Sequence, residues 1–137
     1  MITSGFHFLL LTLGNMIFYE IFYWMLAWGK ANRIFVNLGW LQIDWRFSSF
    51  VPLIIMASAI TIPVGIIGSY LVNYAYIKEA LNNDGKLWIS QFMMWLSTPV
   101  GFTIVSLWHP QEEPLNFTRI SFAFTLLLLA QVVMRYK

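Results

Sequence analysis

Apolar residues gather in four long blocks along this chain, over residues 6–28, 51–77, 87–108 and 117–134, with short polar stretches between them. A helix needs about 20 apolar residues to cross a hydrocarbon core, and each block comes close to that. The pattern predicts an all-α integral membrane protein. Its four transmembrane helices would form two hairpins in a single domain of 137 residues. The most apolar stretch, Phe47 to Ile77, carries no charge over 31 positions. Within it Ala57, Thr61, Gly65 and Ser69 recur at every fourth position, with Asn73 after them. That spacing suggests one helical face. Small side chains there let membrane helices approach closely, within a chain or between copies in a homo-oligomer. Pro63 predicts a kink.

The connectors are less uniform. Between Gly29 and Arg46, the run Leu41 to Phe47 alternates apolar and polar residues, a strand signature. Val36, Trp40, Ile43 and Phe47 equally mark one face of an amphipathic helix. In either form this is an interfacial segment between helices 1 and 2, with Trp40 and Trp45 at headgroup level. Lys78 to Lys86 reads as a short polar turn around Asn82-Asn83-Asp84-Gly85. His109 to Pro114 reads as an acidic, proline-bracketed loop containing Glu112 and Glu113. His7-Phe8 and Gln91-Phe92 open helices 1 and 3 alike, a faint sign of internal doubling.

Composition sharpens the membrane expectation. Charged residues make up 10% of the chain and hydrophobic ones 59%, with mean hydropathy +0.69. A soluble domain usually carries about 25% charged residues, so water would meet too little polar surface. The absence of cysteine excludes disulfides and thiolate metal sites. His7 and His109 lie far apart in sequence, and no cofactor is expected. An excess of two positive charges suits anionic membrane lipids and leaves no nucleic-acid footprint. No basic stretch precedes the first apolar block, which reads as a retained helix rather than a cleaved signal. Four spans place both termini on one side. The cations then divide evenly, with Lys78, Lys86, Arg135 and Lys137 facing Lys30, Arg33, Arg46 and Arg119. Charge alone does not orient the chain.

Glu20 is the sharpest single chemical feature. A carboxyl inside a span is costly, and it normally faces the bundle interior. Thr12, Asn15, Ser97 and Thr98 are its expected partners. No Ser–His–Asp set, glycine-rich phosphate loop or metal-ligand spacing occurs, so the chain is not read as an enzyme.

Several short motifs resemble the GtrA-like family. Phe8-Leu9-Leu10-Leu11, then Asn15 and Phe22-Tyr23-Trp24, is similar to that family's first helix. Tyr70-Leu71-Val72-Asn73-Tyr74-Ala75-Tyr76, Gln91-Phe92 and Arg135-Tyr136 are similar to parts of its other three. Tyr74 and Met134 depart from it, standing where the family has Arg and Asn, and its glycines before Asn15 are shifted to Gly14. The resemblance implies a four-helix protein of the cell membrane with cytoplasmic termini. It would move a polyprenyl-phosphate-linked sugar, or partner the membrane glycosyltransferase that makes it, in cell-surface glycosylation. Asn15, Glu20, Asn73, Lys78 and Arg135 are the candidate lipid-phosphate or substrate contacts. Glu20 among aromatics also resembles small multidrug resistance transporters, which implies proton-coupled export of hydrophobic cations. A non-transporting membrane adaptor is a third expectation.

Overall fold

The computed structural model describes residues 2–109 and 117–135. The side chains of Ile2, Phe117, Ile120, Gln131, Met134 and Arg135 lie outside the description, as does the loop with Glu112 and Glu113. The elements are α1 (Ile2–Ala31), β1 (Arg33–Asn37), β2 (Gln42–Arg46), α2 (Phe50–Asn82), α3 (Leu87–Trp108) and α4 (Phe117–Arg135). The fold is therefore mostly helical but not all-α. The segment between the first two helices is an antiparallel β-hairpin, pairing Arg33 with Arg46 through to Asn37 with Gln42. Alternation at Leu41–Phe47 marks a strand because the other strand supplies its hydrogen bonds; a helical segment would have had to satisfy its own.

Local chemistry sets the boundaries. α1 ends at Asn32, which adopts φ +49, the left-handed conformation that asparagine tolerates at a helix end. The hairpin reverses at Gly39-Trp40, where Gly39 takes φ +77 and its N–H donates to the Asn37 side chain at 3.2 Å. At the far end of α2, Asp84 and Gly85 both have positive φ, and the Gly85 N–H donates to the Ala80 carbonyl. The polar turn expected from Lys78 thus begins several residues later. α2 runs on to Asn82, with Glu79 and Ala80 buried.

α1 is the central helix. It packs along α2 on one side and α3 on the other, while α4 touches α3 alone among the described elements. Glycines mark both close crossings. A Cβ on Gly14 would lie 2.6 Å from Val72 Cγ2 and 2.9 Å from the Gly68 carbonyl oxygen. One on Gly101 would lie 3.2 Å from both Asn15 Cβ and the Thr12 carbonyl oxygen. Neighbouring positions 14 and 15 of α1 therefore serve different partners. The two halves of the chain are not packed alike, since the α1–α2 contact is broad and the α3–α4 contact is slight.

The row of small residues on α2 does not stay on one face. Ala57 and Thr61 are buried, Gly65 and Ser69 half-buried, and Asn73 exposed. At 3.6 residues per turn a step of four overshoots by about 40°, so four steps carry the row about 160°, nearly to the opposite side of the helix. The buried seam breaks the four-residue step instead, with a seven between Thr61 and Gly68 and a three between Val72 and Ala75, through Leu53, Ala57, Thr61, Gly68, Val72, Ala75 and Glu79.

α1 and α2 are each long and apolar enough to cross a membrane, and within their most apolar windows only 28% and 17% of residues are buried. α2 turns most of its large apolar side chains outward, and α1, although central, leaves Phe6, Leu9, Leu13, Phe22 and Leu26 exposed. A core helix of a soluble protein does the reverse.

Candidate functional site

Polar side chains are buried along both contacts of α1. Facing α3, the Asn15 amide donates to Ser97 Oγ at 2.9 Å, and Ser97 in turn donates to the Met94 carbonyl. Further along, the Tyr23 hydroxyl meets Ser106 Oγ at 3.0 Å, and Tyr19 packs edge-on against Phe102. Thr98 also bonds the Met94 carbonyl, and Thr12 the Phe8 carbonyl. These hydroxyls satisfy their polarity within their own helices. They are not available to Glu20.

The partner of Glu20 is His109, at the C-terminal boundary of α3. Its Nε2 lies 2.8 Å from Glu20 Oε2, and its ring stacks on Tyr23 with centroids 4.6 Å apart. The two paired side chains are about a third exposed, at 32% and 28%. Glu20 therefore sits at the partly open rim of the α1–α3 contact, reached from the end of α3 by His109, and not in the buried interior. His109 was legible as a helix-ending residue, but its reach back to α1 depends on the parallel register of the two helices.

A second imidazole–carboxylate pair, more deeply enclosed, joins the start of α1 to the end of α2. His7 Nδ1 lies 2.6 Å from Glu79 Oε2, and the two residues are 4% and 1% exposed. Ser4 Oγ donates to Glu79 Oε1 at 2.8 Å, and Asn83 Nδ2 donates to the same oxygen at 3.0 Å. The Tyr74 ring stands edge-on to His7. A buried carboxylate is tolerable only when its lone pairs are filled this fully. Sequence reasoning assigned Glu79 to a solvated turn and missed it. The signal was there: Val72, Ala75 and Glu79 continue the seam of α2 at spacings of three and four.

α3 contributes one anomaly near this end. Ser90 is fully buried, and among the described residues its Oγ is the one buried side-chain polar atom with no hydrogen-bond partner. The α1–α3 pairs Asn15–Ser97 and Tyr23–Ser106 set a register that brings Ser90 level with His7 and Phe8.

The remaining predicted contacts are dispersed. Asn73 and Lys78 are exposed on α2, where Tyr70 and Tyr74 between and beside them stack at 6.0 Å. Asn15 and Glu20 lie on the α3 side of α1, so the five candidates do not converge on one site. Arg135 lies in α4, with its side chain outside the description. Among the described residues, no three of His, Cys, Asp and Glu are grouped to hold a metal ion.

No family model matches this chain, and no curated protein or solved structure matches it. A reading of its function rests on its own chemistry.

Proposed function

We propose that the chain is a four-span integral membrane protein of the GtrA-like kind, with cytoplasmic termini and no catalytic activity. It binds a polyprenyl-phosphate-linked sugar, either to move it across the bilayer or to present it to a partner glycosyltransferase. Membrane placement is supported by the outward apolar surfaces of α1 and α2. The observation that carries the lipid-phosphate reading is the outer face of α2 at its C-terminal end. Tyr70, Asn73, Tyr74, Ile77 and Lys78 are all exposed there, at spacings of one helical side. An amide and an ammonium beside stacked phenol rings, at the end of a span, provide donors at the depth of a lipid phosphate.

The test is binding of undecaprenyl phosphate to the purified protein in nanodiscs. Replacing Asn73 by Ala and Lys78 by Gln together removes charge-assisted and amide donors, each worth about 1–3 kcal/mol, so affinity should fall at least about tenfold. Unchanged affinity in the double variant overturns the assignment of this face.

The rim position of Glu20 favours a second reading. A carboxyl paired with an imidazole, partly open and flanked by Tyr19 and Tyr23, is also what a proton-coupled cation exporter requires. In cells, Glu20→Gln should abolish resistance to hydrophobic cations under that reading; under the first it should be tolerated, because the amide keeps the size and hydrogen bonding of the carboxyl, while Glu20→Ala should alter surface glycans. Resistance and glycans both unaffected by Glu20→Gln would remove the exporter reading, and glycans also unaffected by Glu20→Ala would leave the adaptor role.

A further inference from the structure

The β-hairpin divides its chemistry between two faces. Ile34, with Val36, Ile43 and Phe47 beside it, packs inward against Trp28, Ala57, Met56 and Ile60. The Trp28 indole donates to the Phe35 carbonyl at 2.9 Å and fixes the sheet to α1. The opposite face carries Arg33, Phe35 and Asn37 on β1 and Gln42, Asp44 and Arg46 on β2. Arg33 and Arg46 are directly opposed. The ladder bonds Phe47 N–H to Asn32 and Leu38 N–H to Leu41 fix its phase. Arg33–Arg46 is then a non-hydrogen-bonded pair, the kind in which side chains come closest.

Like charges placed directly opposite destabilise a strand pair, and the chain does little to offset them. Asp44 reaches Arg33 only at 3.5 Å, in an exposed pair. Arg33 also lies over the Phe35 ring, 5.3 Å from its centroid. Arg46 has no hydrogen bond or ion pair among the described residues. With Lys30 at the end of α1, the region holds three cations against one acid. That excess equals the formal net charge of +2 of the entire chain. Beyond the arginines, Trp40 at the tip is 85% exposed, and Leu38 is exposed close to it in the chain.

Position along the helices completes the argument. About 32 Å of helix separates Ala57, where the hairpin packs, from Lys78. The hydrocarbon core is roughly 30 Å thick. With Lys78 at one headgroup layer, the hairpin lies at the other.

We infer that the outward face of the hairpin is a docking surface for anionic lipid headgroups, with Arg33 and Arg46 sharing a headgroup phosphate and Trp40 seated among the glycerol groups. Two guanidinium groups from adjacent strands supply parallel donors to the phosphate oxygens, and the phosphate removes the repulsion between them. The inference rests on the membrane placement proposed above but not on the glycolipid reading, whose contacts lie at the other end of α2.

The native chain has no cysteine, so a nitroxide attached at Leu38→Cys reports on the tip alone. The protein is placed in nanodiscs of phosphatidylcholine, with or without phosphatidylglycerol. Anionic lipid should raise collision of the label with oxygen and lower collision with a water-soluble nickel chelate, an effect reversed by high sodium chloride. Arg33→Gln with Arg46→Gln should remove this lipid dependence, weakening headgroup association about fivefold per arginine. The corresponding double lysine variant, which retains the charge, should keep most of it. Equal collision rates in both lipids, or lipid dependence that survives the glutamine pair, would overturn the inference. So would displacement of the tip by inorganic phosphate at matched ionic strength, because the site would then be one for free phosphate. Loss of undecaprenyl phosphate binding with an intact tip response would remove only the glycolipid reading.

Discussion

Gly14 is where the packing of this protein is most exposed to a single methyl group. In Gly14→Ala the new carbon would stand 2.6 Å from Val72 Cγ2 and 2.9 Å from the Gly68 carbonyl oxygen. Val72 can turn, but the carbonyl belongs to the α2 backbone and moves only with the helix. Restoring a normal contact requires α1 and α2 to separate by about half an ångström or more, loosening the neighbouring Leu11, Val72 and Ala75. Overpacking of this kind costs about 1–3 kcal/mol. Alanine in place of glycine in a helix returns about 1 kcal/mol, so the net loss should be up to about 2 kcal/mol. Gly65→Ala is the internal control, because its Cβ would meet only Ile21 Cδ1, at 3.8 Å. That variant should be neutral or stabilised by its helix propensity. Reversible unfolding in mixed detergent micelles, followed by circular dichroism, compares the two. Should Gly14→Ala prove as stable as Gly65→Ala, the Gly14–Gly68 crossing is not the close contact described.

Three further outcomes follow from the interior. Ser90→Ala removes a buried hydroxyl without a partner and should stabilise by about 1 kcal/mol, whereas Ser97→Ala strands the Asn15 amide and should cost about 1–3 kcal/mol; the opposite order in detergent unfolding refutes both assignments. Glu79→Leu breaks a buried pair and should lose about 3–5 kcal/mol, while adding His7→Leu should recover part of that loss; strictly additive effects would deny the coupling. For topology, single cysteines at Asn37 and Asn83 should label from opposite sides of the membrane, and one at Lys137 from the same side as Asn83; common labelling of Asn37 and Asn83 would exclude α2 as a span.

The number of helices was legible in the sequence, because segment hydropathy is local, but α1 and α2 run beyond the apolar blocks at both ends. The turn at Asn82–Gly85 could be placed from residue type alone, and Pro63 and Pro99 lie within helices because the apolar blocks continue through them. The alternation at Leu41–Phe47 was equally visible. It became a strand only because Arg33–Asn37 folds back to pair with it. The strict four-residue row misled for a geometric reason, since it drifts around a helix while the true seam mixes steps of four with shorter and longer ones that cancel the drift. Which face of α2 meets α1 is set by where Gly14 admits it, and that belongs to both helices together. The same holds for charge. Glu20 stood out because it interrupts an apolar block, yet its partner lies 89 positions away. Glu79 looked like part of a turn until His7, 72 positions away, came to cover it. A sequence fixes which groups are too polar to stay in an apolar helix unaccompanied; only the helix register decides what accompanies them, because hydrogen bonds act over about 3 Å and that distance is met between helices, not along one.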